Sequence, residues 1–285
     1  MTTMNDLQTN ISPTWCPGCG DYGIWNAFRT ACVKEGWDNN NSAIVAGIGC
    51  HGHIFNFVKM SAFEGLHGRA LPVATGIKFA NHKLNVMVFT GDGDGMGEGG
   101  NHFVHAARRN QDLAVFIHDN AVYGLTTGQT SPVSPHDYKS KSSPFGNPDE
   151  PIHPLLLALA SGATFVARGY AGDVPGLTEL MIQAVNHKGF AVVDILQPCV
   201  TFNHIYTHQY YSQNMYKLGG DYDSKNKVWA MEKAMQWGEK NIPVGILYNV
   251  ELPTQESYYP QIAEKSLVEM GVNKRDIGKL LEEFV

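Results

Sequence analysis

Asp92 follows the apolar run Asn85-Val-Met-Val-Phe-Thr90 inside Gly91-Asp92-Gly93-Asp94, and Asn120 follows a second run, Leu113-Ala-Val-Phe-Ile-His118, and Asp119. The two residues are twenty-eight positions apart. One β-α-β unit closes that distance by placing both at the carboxyl ends of neighbouring parallel strands, where open sheets bind ligands. A carboxylate, an amide oxygen and a nearby backbone carbonyl are hard oxygen donors, the set that suits Mg2+ with phosphate oxygens and water completing the octahedron. Glycines at 91, 93, 95, 97, 99 and 100 let backbone approach such a ligand closely. A helix from about Gly100 to Asn110 would then aim its positive N-terminal end at the anion. Taken alone, Gly-Asp-Gly-Asp is equally the composition of a plain polar turn; an asparagine at this spacing favours the metal site.

A second set of residues is built on sulfur. Cys16 and Cys19 lie in Trp15-Cys-Pro-Gly-Cys-Gly20, Cys50 in Gly47-Ile-Gly-Cys50 and Cys199 in Gln197-Pro-Cys-Val200. Cys50 and Cys199 each come shortly after an apolar run, Ala43–Ala46 and Ala191–Leu196, so both belong at strand ends on the same edge as Asp92 and Asn120. Four thiolates suit either a tetrahedral zinc or an iron-sulfur cube, and ligand count alone does not choose. A disulfide framework is disfavoured by the odd count of five cysteines and by the lack of a secretory signal. Cys32 sits among helix-spaced apolar residues and reads as core. His204 and His208, near Cys199, read as polar residues of an aromatic loop rather than as zinc ligands.

The elements that must position these residues follow from periodicity. After a cysteine-bearing arm of about twenty residues, Tyr22 to Glu35 carries apolar residues at helical spacing. Strand candidates are Ala43–Ala46, Asn85–Thr90, Leu113–His118, Thr164–Ala167 and Ala191–Leu196, separated mostly by helix-length segments. That alternation predicts an α/β fold, a mostly parallel sheet with helices on both faces. Thr130 to Pro154 has no periodicity and reads as a lid or partner-binding loop. Thr201 to Tyr222 is dense in Tyr, His and Asn, and from Trp229 onward helical segments alternate with Pro-marked breaks. We expect a cofactor domain over 1–205 and an extension over 206–285 that packs on it or on a partner.

Composition excludes several classes. With 285 residues and 43% apolar content the chain can bury a large core. A net charge of −6 and no basic stripe exclude an electrostatic nucleic-acid surface. Its longest apolar stretch, Pro154–Ala160, is far short of the roughly 20 residues of a membrane helix, and a cytoplasmic setting is expected.

Gly91-Asp92-Gly93, followed after twenty-six residues by Asn120, resembles the thiamine diphosphate signature, in which the aspartate, the asparagine and the carbonyl two residues on hold Mg2+. Here these would be Asp92, Asn120 and Val122. With the cysteine spacing and Tyr123-Gly-Leu-Thr-Thr-Gly-Gln129, the pattern over about residues 12 to 205 resembles the β subunit of a 2-oxoacid:ferredoxin oxidoreductase. The resemblance implies the thiamine diphosphate-binding fold. It implies a [4Fe-4S] cluster on Cys16, Cys19, Cys50 and Cys199, close to thiamine diphosphate lined by Ile48, Gly49, Cys50, His51, His67, Gly93, Asp94, Gly124 and Leu125.

The activity so implied is oxidative decarboxylation of a 2-oxoacid, pyruvate or 2-oxoglutarate, to acyl-CoA and CO2. Coenzyme A takes the acyl group, and electrons pass through the cluster to ferredoxin. Thiamine enzymes also need a second domain to bind the aminopyrimidine ring, so the resemblance implies an obligate α subunit and an active site at the interface. The chain departs from the family pattern at Glu98, where an apolar residue is expected; a carboxylate there would repel phosphate unless it points away. His53 and Thr127 fall where a substrate pocket is expected, and neither is a permanent cation for a second carboxylate. Two rivals are a zinc-stabilised, non-redox thiamine decarboxylase or carboligase subunit, and a non-catalytic electron-transfer or scaffold module without thiamine.

Overall fold

The computed structural model describes residues 2–271 and 278–284. Its ten strands are β1 (Ser42–Ala46), β2 (Ala62–Glu64), β3 (Asn85–Gly91), β4 (Leu113–Asp119), β5 (Val122–Tyr123), β6 (Gln129–Thr130), β7 (Phe165–Tyr170), β8 (Phe190–Leu196), β9 (Met215–Lys217) and β10 (Ile242–Asn249). Eight of them form one sheet in the order β2-β1-β3-β4-β8-β7-β10-β9, and β5 and β6 make a separate hairpin. Every pairing in the large sheet is parallel except β10 with β7.

The sheet is covered on both faces because its central strands are apolar on both. Along β4, Ala114 and Phe116 join one buried layer, with Phe28 and Cys32 of the helix Asp21–Glu35 and Leu177 and Met181 of the helix Val174–Asn186. The alternate residues Leu113, Val115 and Ile117 join the opposite layer, against Phe103 of the helix Gly100–Arg108 and Leu155 and Leu159 of the helix Pro154–Ser161. Period-two alternation within an unbroken apolar run is the mark of a strand buried on both sides. Helix Asp21–Glu35 buries Ile24, Ala27, Phe28, Ala31 and Cys32, one face at helical spacing. It stops at Gly36, whose φ of 69° lets its N–H close back on the Cys32 carbonyl.

The five expected strands are all present, each within three residues of its expected ends. β2, β5, β6, β9 and β10 are not expected from the sequence. Pro243 and Gly245 make Ile242–Asn249 read as a break. β10 is nevertheless a strand, beside β7 with a register shift between Ile246 and Tyr248. The segment after residue 205 thus adds two strands to the sheet. Within the expected loop from Thr130 to Pro154, Ser131, Ser134, Tyr138 and Asn147 are buried, while His136, Asp137 and the turn around 139–146 are largely exposed, with Phe145 96% exposed. Among the described residues no helix is long and apolar enough to cross a membrane.

Candidate active site

Parallel pairing of β1 with β3, β3 with β4 and β4 with β8 brings four strand ends to one edge. From it emerge Gly47 to Cys50, Asp92, Asn120 and Gln197 to Cys199. A cavity of about 80 Å3 opens there, lined by Ile48 to His51, His67, Gly91 to Asp94, Asn120 and Val122 to Thr126. Every residue expected to touch thiamine diphosphate or Mg2+ therefore faces one space.

Asp92 and Asn120 are 1% and 8% exposed. The Ser131 hydroxyl donates to Asp92 Oδ2 at 2.5 Å. Burial nevertheless pushes the Asp92 carboxyl up to about 7, against the hydrogen bonds from Ser131, Gly93 and Asn120 that favour its anion. Asn120 donates through Nδ2 to Gln197 Oε1 at 3.2 Å, which turns its Oδ1 the other way, onto the Val122 N–H at 3.1 Å. Ala121 between them has φ 57°, a left-handed conformation costing about 1–3 kcal/mol for a residue with a side chain. Ser134 Oγ donates to the Ala121 carbonyl at 2.6 Å and Asn203 Nδ2 to the Asn120 carbonyl at 2.9 Å, which hold the turn. A strained turn presenting an amide oxygen and a carbonyl beside a buried carboxylate fits the hard-donor requirement of Mg2+.

Asp94 lines the same cavity, but its oxygens are spent inside the protein. Oδ1 accepts from the Ile48 N–H at 3.1 Å and the Gly68 N–H at 2.7 Å and meets His67 Nδ1 at 2.7 Å. Oδ2 accepts from the Thr90 hydroxyl at 2.6 Å and lies 3.5 Å from His51 Nε2. Burial opposes its ionisation, but His51, Gly68 and Thr90 outweigh burial and hold the carboxyl well below the usual carboxylate range. Asp94 thus ties the Gly47–His51 and His67–Gly68 loops to β3. Gly47 is required there, since a Cβ would sit 1.8 Å from Asp94 Oδ2. The glycine-rich stretch is not an open loop either: Gly93–Glu98 winds as a π-helical turn directly from Asp92. A Cβ on Gly93 would meet the Tyr123 ring at 2.3 Å.

The four expected cysteines gather at the same edge. Cys50 itself lines the cavity. A Cβ on Gly124 would lie 3.5 Å from Cys50 Sγ and 3.7 Å from Cys199 Sγ, so this glycine separates cavity from sulfur by backbone alone. Burial, with Asp21, Cys199 and Cys16 nearby, pushes the Cys50 thiol up to about 12. Burial and then Asp21 raise Cys19, and burial raises Cys199, with Cys16 adding to it. Thiols in this setting give up their protons only to a bound cation. Trp15 Nε1 donates to the Cys50 carbonyl at 2.7 Å, which pins the N-terminal arm against the second cysteine loop. Among the described residues no three His, Cys, Asp or Glu side chains close in on a single-ion position. Cys32 is buried in the core.

Comparison with known proteins agrees with this geometry. Residues 47–195 match the family described as thiamine pyrophosphate enzyme, C-terminal TPP binding domain, and residues 199–264 match the C-terminal part of the pyruvate ferredoxin oxidoreductase beta subunit. The chain is 47% identical over 266 residues to the 2-oxoacid:ferredoxin oxidoreductase subunit beta of Saccharolobus solfataricus, covering 88% of this chain and 86% of the relative. The chain belongs to the 2-oxoacid:ferredoxin oxidoreductase β subunits. A 2-oxoglutarate synthase subunit of Archaeoglobus fulgidus is 43% identical over 200 residues, 70% of this chain and 74% of that one. Among solved structures, the 2-oxoglutarate:ferredoxin oxidoreductase from Magnetococcus marinus, with 2-oxoglutarate, coenzyme A and succinyl-CoA bound, superposes with a TM-score of 0.91 at 38% identity, covering 99% of this chain and 96% of that chain. These relatives are redox enzymes, which disfavours the zinc-stabilised, non-redox reading.

In this β subunit Glu98 stands outside the cavity wall. Its carboxylate accepts from the Tyr123 hydroxyl at 3.3 Å and lies 3.6 Å from His67 Nε2, so the repulsion expected of it is directed elsewhere. His53 and Thr127 do not line the cavity; His53 stacks on Phe57 and Thr127 occupies an exposed turn at φ 79°. His208, read as decoration, bridges the Gly18 carbonyl at 2.9 Å and the Tyr170 hydroxyl at 2.8 Å, tethering the Cys16–Cys19 arm.

Three further residues escaped sequence reasoning. Asp21, 0% exposed, meets His118 Nδ1 at 2.6 Å through Oδ1, while Gln197 Nε2 donates to its Oδ2 at 3.2 Å. Their only local signals are that Asp21 follows Cys19 by two positions and Gln197 precedes Cys199 by two. Burial lowers the His118 pKa, outweighing the Asp21 carboxylate that raises it. A histidine held below its unfolded pKa of ~6.5 binds fewer protons folded than unfolded. Its contribution is complete above that pKa and is lost as pH falls through it. His118→Asn keeps a donor for Asp21 and is expected to flatten the acid side of the thermal midpoint profile below about pH 6.5; an unchanged slope in thermal melts would rule this out.

Proposed function

We propose that this subunit, with an α subunit, catalyses oxidative decarboxylation of a 2-oxoacid, pyruvate or 2-oxoglutarate, to acyl-CoA and CO2, with a [4Fe-4S] cluster carrying the electrons to ferredoxin. The observation that carries this reading is that Cys50 and Gly124 belong to both sites. They line the cofactor cavity, and Gly124 also packs against the sulfurs of Cys50 and Cys199. An electron acceptor held by those sulfurs would lie against the reacting end of whatever fills the cavity.

Asp92, Asn120 Oδ1 and the Val122 carbonyl would hold Mg2+. Ile48 to His51, His67, Gly93, Asp94, Gly124 and Leu125 would line the thiamine diphosphate, with Asp94 acting through the loops it organises. Cys16, Cys19, Cys50 and Cys199 would hold the cluster. When bound, thiamine diphosphate supplies an electron sink for the carbanion left by loss of CO2. The donors suit these groups: hard oxygen for magnesium, thiolate sulfur for iron.

A partner follows from size. Cofactor pockets run to about 300–1,000 Å3, whereas this cavity measures about 80 Å3, and its wall residue Leu125 is 49% exposed. One side of the cofactor would therefore be enclosed by the α subunit, and residues 206–285 would pack on the 1–205 domain through β10 beside β7. Five free cysteines suit a reducing, cytoplasmic setting.

The test is reconstitution. The subunit purified anaerobically with its α partner is expected to be brown, to contain iron and sulfide without zinc, and to form acyl-CoA from a 2-oxoacid with reduction of ferredoxin. The subunit alone is expected to form none. Zinc in place of iron, or full turnover by the isolated chain, would refute the reading.

A further inference from the structure

Gln197 is 2% exposed and its amide is fully committed. One end donates twice: Nε2 lies 3.3 Å from Cys19 Sγ and 3.2 Å from Asp21 Oδ2. The other end accepts once, Oε1 taking the Asn120 Nδ2 hydrogen bond at 3.2 Å. The opposite amide orientation would set an oxygen against a carboxylate and a sulfur, so the chemistry of the neighbours fixes this one. Packing fixes where the side chain sits. The Gln197 N–H donates to the Asp119 carbonyl at 2.8 Å, and its side chain lies so close to Gly20 that a Cβ there would come within 2.7 Å of Gln197 Cγ.

We infer that Gln197 is a positioning residue joining the two cofactor sites: its N–H sets the reduction potential of the cluster through Cys19, and its carbonyl orients Asn120 toward Mg2+. The inference rests on the proposed assignment of Cys19 and Asn120 as ligands.

The physical reasons differ at the two ends. As a thiol, Cys19 itself donates to Asp21 Oδ2 at 3.4 Å. Once Cys19 is a thiolate ligand that hydrogen is gone, and sulfur and carboxylate oppose each other as two anions inside the protein. The two hydrogens of the Gln197 amide answer both. An N–H donated to a ligand sulfur stabilises the more negative, reduced cluster and raises its potential. At the other end, accepting from Asn120 Nδ2 leaves Asn120 Oδ1 as the atom turned to the metal, the kind of supporting contact whose loss costs about 10- to 100-fold in metal affinity.

Two variants separate the ends. Gln197→Glu keeps an oxygen for Asn120 and removes the donor to sulfur. Gln197→Met keeps the bulk and removes both. In the anaerobic complex with the α subunit, the midpoint potential of the cluster is read by redox titration followed by electron paramagnetic resonance, and Mg2+-dependent thiamine diphosphate binding is read by calorimetry. Both variants are expected to retain iron and to be harder to reduce, by about tenfold in the one-electron equilibrium, ~59 mV. The fall is expected to be larger in Gln197→Glu, which adds negative charge. Only Gln197→Met is expected to weaken cofactor binding, by about 10-fold or more.

A merely structural role would alter thermal stability and leave the potential alone. Wild-type potentials in both variants at full iron content would overturn the inference. Absence of a cluster signal from the wild-type complex would overturn the ligand assignment, and the inference with it.

Discussion

Asp92→Asn is expected to abolish Mg2+-dependent binding of thiamine diphosphate while making the cofactor-free subunit more stable near neutral pH. Both effects have one cause. The carboxyl is buried beside the Ser131 hydroxyl, and burial moves it from 3.8 to about 7. A group whose folded pKa lies above its unfolded one binds more protons when folded. Its contribution to stability is therefore present below the unfolded pKa and is lost as pH rises through the window from about 4 to 7. The loss is on the order of 4 kcal/mol for a shift of this size. Asparagine has the same shape and no charge, so the penalty disappears, and so does the anionic ligand proposed for Mg2+. Asp119 and Asp194 are also raised by burial, and the Asp92 charge adds to the rise at Asp119, so the variant relieves part of that rise and keeps the rest. Thermal midpoints at pH 5 and pH 8, with and without Mg2+ and thiamine diphosphate, give the test. The wild type is expected to lose stability between the two pH values and to regain it on adding the cofactor. The variant is expected to lose less over the same interval and to regain nothing from the cofactor, with affinity by calorimetry down at least about 100-fold. Cofactor binding of wild-type strength by Asp92→Asn would remove this residue from the metal site.

The second large effect concerns iron. Cys50→Ser in the co-purified complex is expected to lower bound iron well below the ~4 per chain of an intact cube, to bleach its visible absorbance and to reduce ferredoxin reduction to background. Cys32→Ser supplies the control, because Cys32 lies 0% exposed on the buried face of helix Asp21–Glu35, within the apolar layer. That substitution buries a hydroxyl and lowers stability by about 1–3 kcal/mol, yet it should leave iron content at the wild-type level. The contrast separates a ligand from a structural thiol, since burial raises the pKa of both Cys50 and Cys32 and titration alone does not tell them apart. Full iron and unchanged absorbance in Cys50→Ser would remove Cys50 from the cluster site.

These two effects meet at the edge where β1, β3, β4 and β8 end, and the route by which the residues reach it explains how much the sequence alone determined. Unbroken apolar runs imposed the central strands, because segments such as Leu113–Asp119, buried along their whole length, have no amphipathic alternative. Once strands and crossover helices alternate, parallel pairing sends every strand's carboxyl end the same way. The placement of Asp92, Asn120, Cys50 and Cys199 together then follows from their positions just after such runs. That is local information, and the spacing carries it.

Contacts between strand ends are of another kind. Gln197 meets Asn120 from 77 residues away and Cys19 from 178, and Asp94 meets His67 and Ile48 across 27 and 46. No period or propensity encodes which oxygen faces which hydrogen over such separations. The tertiary structure alone decided that Asp94 is spent as an internal tie, that Glu98 turns to Tyr123 and His67, and that β10, with its proline and glycine, is still a strand. The reason is physical. Hydrophobic burial is specified residue by residue along the chain, whereas a buried hydrogen bond exists only once the fold has brought donor and acceptor within about 3 Å of each other.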